Sequence, residues 1–169
     1  RIEPLVTGDP SRHVGGARGG LSSYSSYMNR NKKSMAIDIK NPAVKAPLFE
    51  LIKTADVFVQ NARPGALDRA GLGFEVLHEI NPQWIYVSIS GFGLTGPAVH
   101  QRVYDTVIQG VSGLATAQGE SGKPALVKSI VSDKVAGLTA AQAISSALFA
   151  RERGTIGGHH VEISMLDAS

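Results

Sequence analysis

At 169 residues, 43% of them hydrophobic and 18% charged, the chain has the size and make-up of one soluble globular domain with a real core. No apolar run approaches the roughly 20 residues of a membrane span, and a net charge of +3 without a long basic stripe argues against a nucleic-acid partner. The absence of cysteine excludes disulfides, thiolate metal sites and a cysteine nucleophile, and fits a reducing compartment such as the cytoplasm.

Residues 1–30, rich in Gly, Ser and Arg ("HVGGARGGLSSYSSYMNR"), show no sustained period and read as loop, with "RIEP" as the tail of a strand. "NRNKKS" reads as a solvated turn, with a small anion site as the sharper alternative. "SMAIDI" predicts a strand. Asn41-Pro42 opens a helix through Leu48, Leu51 and Ile52 to Ala55, and Pro47 inside it predicts a later start or an irregular first turn. "DVFVQN" is a second strand, "RPGALDRAG" a turn with a short helix, and "FEVLHEIN" a helix stopped by Pro82. "WIYVSIS" is the third strand. A helix follows from Tyr104 through Val107, Val111 and Leu114, then the turn "GESGKP" and a short extended segment, "ALVKSIV". The longest helix runs from about Asp133 to Arg153 and ends at Gly154. "HHVEISML" closes as a strand, and "MLDAS" starts another helix. Strands alternating with helices predict an α/β fold with a mainly parallel sheet. No repeat or linker is visible, and the abrupt ends suggest a piece of a larger α/β protein.

Gly91-Phe92-Gly93-Leu94-Thr95-Gly96 spells the GxGxxG fingerprint of dinucleotide-binding folds, directly after a strand. The fingerprint requires a helix opened by the last glycine, with an acidic residue ending a second strand further on. Here Pro97-Ala98-Val99-His100 is a poor helix start and Glu120 lies in a turn. The motif therefore reads as a glycine-rich loop at the carboxyl end of a strand, where open α/β sheets bind their ligands.

"NRNKKSMAIDIK", "ADVFVQNARPGALDRAGLG", "NPQWIYVSISGFGLTGP", "YDTVIQGVSGL" and "VSDKVAGLTAAQAISSALFARER" together resemble the class III CoA-transferases, the family of formyl-CoA transferase, carnitine CoA-transferase and α-methylacyl-CoA racemase. The N-x-R-P-G, S-G-F-G-x-x-G-P and D-x-x-x-G patterns are jointly specific and span nearly the whole chain. The resemblance implies a Rossmann-like large domain, represented in part by residues 1–169, a smaller second domain, and an interlocked homodimer. It places a strand–helix unit before Arg1 and the small domain after Ser169, so these residues alone are expected to be inactive. Its substrates are an acyl-CoA and a free carboxylic acid. Coenzyme A belongs to the substrate, and no metal or redox cofactor is implied.

Asp133 matches the family's nucleophilic aspartate. Locally it is an Asp at a helix start, where capping is the common role, but a helix N-terminus also favours the carboxylate anion that attacks a thioester. Tyr104 stands where the racemases carry His. A phenol, with an ordinary pKa near 10, is a poor base for removing a proton beside a carbonyl, so Tyr104 favours transferase over racemase. A binding domain without turnover is the third reading. The resemblance assigns CoA contacts to Asn61, Arg69, Arg102, Tyr104, Ile37 and Lys40, with the two arginines suited to phosphates. Ala62 replaces a common aromatic, and "GTIGGHH" replaces the usual "TGRGQ" turn. His159 and His160 are adjacent on a strand, face opposite sides and make a poor metal pair.

Overall fold

Residues 1–51 and residues 52–169 form separate units in the computed structural model, which describes all of residues 1–169. The boundary falls inside a helix, so no linker lies between them.

The first unit opens with β1 (Ile2–Glu3), a 3₁₀ turn at Pro10–His13, the antiparallel hairpin β2 (Ala17–Arg18) and β3 (Leu21–Ser22), and α1 (Ser23–Met28). Residues 1–30 are thus not plain loop. Their elements are short and held by side-chain caps rather than by an apolar period: the Asp9 carboxylate accepts from Ser11 N at 2.7 Å and the Ser22 hydroxyl from Ser25 N at 3.2 Å. "NRNKKS" ends α1 as a turn, with Asn29 Nδ2 donating to the Ser25 carbonyl and Lys32 Nζ to the Met28 carbonyl, both at 2.9 Å. The strand in "SMAIDI" shrinks to β4 (Met35–Ala36), because its parallel partner β1 is only two residues long. A 3₁₀ turn at Pro42–Val44 precedes α2 (Lys45–Lys53), so the helix does start late. Pro47 lies in its first turn, where no N–H is missed.

Glu3 holds this unit together. Its buried carboxylate takes a fork from Arg12 (Nε and Nη2, both 2.7 Å), Arg1 Nε at 3.1 Å, Asp9 N at 3.0 Å and the Ser34 hydroxyl. Arg12 first, and then Ser34, hold this carboxyl far below the usual Glu range.

The second unit contains β5 (Val57–Gln60), α3 (Ala66–Arg69), α4 (Phe74–Ile80), β6 (Ile85–Ser90), α5 (Asp105–Val111), α6 (Leu114–Gln118), α7 (Val131–Glu152), β7 (His159–Ser164) and α8 (Met165–Ala168). The strands form one parallel sheet in the order β5-β6-β7, as the alternating pattern predicts. On one face Ile85, Val87 and Ile163 pack against Ala136, Ala140 and Ala147 of α7. Each fully buried Ile or Val of this kind contributes about 1.5–3 kcal/mol. The other face carries rings. Phe58 stacks on Tyr86 at 5.1 Å and on Trp84 at 5.9 Å, and Phe74 lies over His160 at 4.9 Å. Burial, with a smaller push from Asp68, raises the Tyr86 phenol to about 12, and its hydroxyl donates to the Leu72 carbonyl at 3.0 Å.

Two expectations change in this unit. The helix from Tyr104 to Leu114 is two helices, broken where Gly113 turns left-handed at φ +86°. "ALVKSIV" forms no strand, because Val127 N donates to a side chain, Gln109 Oε1, at 2.8 Å.

A lowered carboxyl pKa contributes stability that is complete above the unfolded-state value, 4.5 for Glu3, and lost as pH falls through the folded-state value. Glu3→Gln is therefore expected to destabilise residues 1–51 at neutral pH and to flatten their loss of stability on acidification. Thermal unfolding of both proteins between about pH 3 and pH 7 checks this; an unchanged acid slope would remove Glu3 as the organising group.

Candidate active site

The parallel sheet decides where the candidate residues of the second unit collect. Asn61 directly follows β5, and Gly91 directly follows β6, so both loops leave the same carboxyl edge. α7 ends just before β7, which is parallel to β6, so it runs back along the sheet and its N-terminus also lies at that edge. Asp133 sits in the first turn there. It is not the N-cap: Ile130 holds that position, without a side-chain cap bond.

No helix opens at Gly96, and α5 begins only at Asp105, so the GxGxxG segment is not a dinucleotide cradle. Gly93 and Gly96 are left-handed, at φ +86° and +89°. Gly91 serves close packing: a Cβ there would lie 2.1 Å from Val103 Cγ1. Admitting Val103 against the end of β6 sets the start of α5 two residues later. Asp105 is its first residue.

Asp105, buried, accepts Asp133 N at Oδ2 (3.0 Å) and Gln109 Nε2 at Oδ1 (2.5 Å). The Gln109 carboxamide also meets the main chain leading into α7, at Val127 N (2.8 Å) and the Ser129 carbonyl (3.1 Å). One carboxylate thus holds the backbone of the residue expected to be the nucleophile, while the Asp133 side chain stays exposed. Although Asp133 is open to solvent by surface area, its carboxyl is held above the usual Asp range, first by partial desolvation and then by the charge of Asp105.

The other expected residues divide between the units. Asn61, Arg69 and Arg102 are exposed in the second unit, and neither guanidinium is paired with a carboxylate. The Arg69 guanidinium lies over Gly65, where a Cβ would come within 2.9 Å of Nη1. Tyr104 is 80% exposed, immediately before α5. Ile37 and Lys40 belong to the first unit, where with Ile2, Pro4, Val6 and Ile39 they line a largely apolar cleft of about 430 Å³.

A second polar line crosses the ring-bearing face of the sheet. Ala62 N donates to Gln60 Oε1 (2.7 Å), Gln60 Nε2 to the Ser88 hydroxyl (2.8 Å), and Ser88 Oγ meets His160 Nε2 at 2.9 Å. Burial lowers the His160 pKa, keeping the ring neutral. The loop after β5 is therefore fixed from β7.

No sequence motif marks Asp105, Gln109 or Ser88, and His160 stands out there only as half of a poor metal pair. The missed signal in α5 was the i, i+3, i+4 set Asp105, Ile108 and Gln109, which is the buried face, while Val107 and Val111 point outward at 40% and 56% exposure.

Residues 1–169 match the family described as CoA-transferase family III. The chain is 42% identical over 171 residues to an acetyl-CoA:oxalate CoA-transferase of Acetobacter aceti, covering 100% of this chain and 44% of that protein. It is 37% identical over 147 residues to a succinate–glutarate CoA-transferase of Agrobacterium fabrum, covering 86% of this chain and 36% of that one. A CaiB/BaiF family protein of known crystal structure, from Brucella suis, superposes with a TM-score of 0.91 at 35% identity over 99% of this chain and 45% of its own. The chain thus spans less than half the length of these relatives.

Two expectations follow. Gly91→Ala drives a Cβ into Val103 and is expected to destabilise by about 1–3 kcal/mol; adding Val103→Ala removes the clash and should recover most of that loss in urea unfolding. A double variant no more stable than Gly91→Ala would show that Gly91 has another role. For Asp133 the folded-state pKa is raised, so the wild type loses stability as pH climbs from the ordinary value of 3.8 through the raised one. The stability of Asp133→Asn relative to wild type should then grow with pH by a few tenths of a kcal/mol, given the exposure of the group, before levelling off. A difference that shrinks with pH would contradict the raised pKa.

Proposed function

The chain belongs to CoA-transferase family III, and from that premise we propose that the protein moves coenzyme A from an acyl-CoA to a free carboxylic acid, with Asp133 as covalent nucleophile. The observation that carries the reading is the placement of Asp133: an exposed carboxylate in the first turn of a long helix, at the carboxyl edge of a parallel sheet, with its main chain held by Asp105. Relatives named for oxalate and for succinate and glutarate point to small carboxylic acids as acceptors.

The chemistry balances without a redox step. An Asp133 oxygen attacks the thioester carbonyl, the C–S bond breaks, and CoA thiolate leaves behind a mixed anhydride. The thiolate attacks the aspartyl carbonyl of that anhydride, expelling the first carboxylate and leaving an aspartyl–CoA thioester. The acceptor carboxylate attacks this thioester and releases thiolate, which then attacks the acyl carbonyl of the new anhydride, forming the new acyl-CoA and freeing Asp133. Each step exchanges one leaving group for another, the gain that covalent catalysis offers. The exposed, unpaired guanidinium groups of Arg69 and Arg102 suit the phosphates of CoA, and Asn61 offers an amide at the end of β5. The phenol of Tyr104 supports the transferase over a racemase, because it is a poor base at neutral pH.

The test uses the full-length protein incubated with a panel of acyl-CoAs and quenched with hydroxylamine. The expected result is a hydroxamate on the peptide carrying Asp133, lost in Asp133→Ala together with at least about 1,000-fold of kcat. An unmarked Asp133 across the panel would overturn the covalent mechanism.

A further inference from the structure

Gln109 is wholly buried, and the chemistry written for Asp133 does not use it. Its neighbours fix which way its amide faces. Val127 N is a donor and must meet Oε1, at 2.8 Å; the Ser129 carbonyl is an acceptor and must meet Nε2, at 3.1 Å. Nε2 therefore also faces Asp105 Oδ1, at 2.5 Å, with the Val127 carbonyl a longer contact at 3.4 Å. The acceptor and both amide hydrogens are occupied, so the group is locked in one orientation.

We infer that Gln109 is a positioning residue for the nucleophile, acting through Asp105 and through the segment that enters α7. The inference rests on the reading of Asp133 given above. Asp105 touches Gln109 with one oxygen and Asp133 N with the other, so the amide fixes the plane of the carboxylate that holds the nucleophile's main chain. The same amide holds Val127 and Ser129, a few residues before Asp133. Lys134 grips the segment from outside, its Nζ donating to Ser129 Oγ at 2.9 Å. The hydroxyl of buried Ser132, in the same segment, has no hydrogen-bond partner. A residue that merely filled a polar hole would affect stability alone. A residue that sets the first turn of α7 affects the turnover of Asp133 more than the capture of substrate.

The test compares Gln109→Met and Gln109→Glu in the full-length protein. The first keeps the shape and loses both polar ends; the second keeps the acceptor for Val127 N and sets a carboxylate against Asp105. Both are expected to lower kcat by about 10–100-fold, the cost of a misplaced reacting group, with KM for acyl-CoA within about twofold. Gln109→Met should cost less further kcat in an Asp105→Asn background than in the wild type, because part of its effect runs through Asp105. Hydrogen exchange read on peptides spanning residues 127–133 should accelerate at least about tenfold while the rest of α7 stays protected. A folded Gln109→Met with wild-type kcat and exchange, or effects of Gln109→Met and Asp105→Asn on kcat that simply add, would overturn the inference; Gln109→Glu decides by the same measures if Gln109→Met does not fold. The exchange arm needs no turnover. A wild type that transfers no CoA would refute the transferase reading, while the exchange result would still decide the role of Gln109.

Discussion

The closeness with which α7 lies on the sheet governs the geometry of the second unit. Ala136, Ala140 and Ala147 form its inner face against Ile85, Val87 and Ile163. With small alanines closest to the strands and Ile144 and Leu148 packed around them, the helix axis has little room to shift, because close-packed interiors absorb added volume only at a cost. That restraint is transmitted along a stiff body of 22 residues to its N-terminus, where Asp133 projects. The first turn of α7 is held by a helix seated along its length, from Ala136, one turn on from Asp133, to Ala147.

Seating fixes the axis but not the first turn, and polar contacts complete the work. Asp105 and Gln109 are buried together, and such groups are costly unless every lone pair and hydrogen is used. Here they are used on one another and on the main chain leading into α7. The opposite side of the sheet follows the same rule, where Gln60, Ser88 and His160 pass hydrogen bonds between strands. Apolar contacts therefore set the layers, and a few buried polar groups set the loops at the sheet's edge.

This division explains what the sequence discloses. The strand Ile85–Ser90 is legible as a short run rich in apolar β-branched and aromatic residues, and the long helix by its length and by the Gly154 that ends it. Asp133 is legible only through resemblance, since an Asp at a helix start is locally unremarkable. α5 inverts its pattern: its valines face outward and its Asp and Gln face inward, so periodicity alone points to the wrong side. The short elements of residues 1–30 escape for another reason, their stability coming from caps and from the Glu3 cluster rather than from a repeating face. The glycines of residues 91–96 carry a familiar spelling, but their surroundings decide its meaning, with Val103 occupying the space beside Gly91.

The line from Ala62 through Gln60 and Ser88 to His160 has a consequence for how the chain acquires its shape. Ser88 and His160 are separated by 72 positions, so this contact carries a large loop-closure cost. During synthesis from the N-terminus, β5 and its loop leave the ribosome well before β7 exists to join them. β5 and its partner β6 are both present before β7, and the hydrogen bond to His160 has to wait for β7. The loop carrying Asn61 is thus made early in this unit and fastened later, which ties one edge of the candidate site to the arrival of β7.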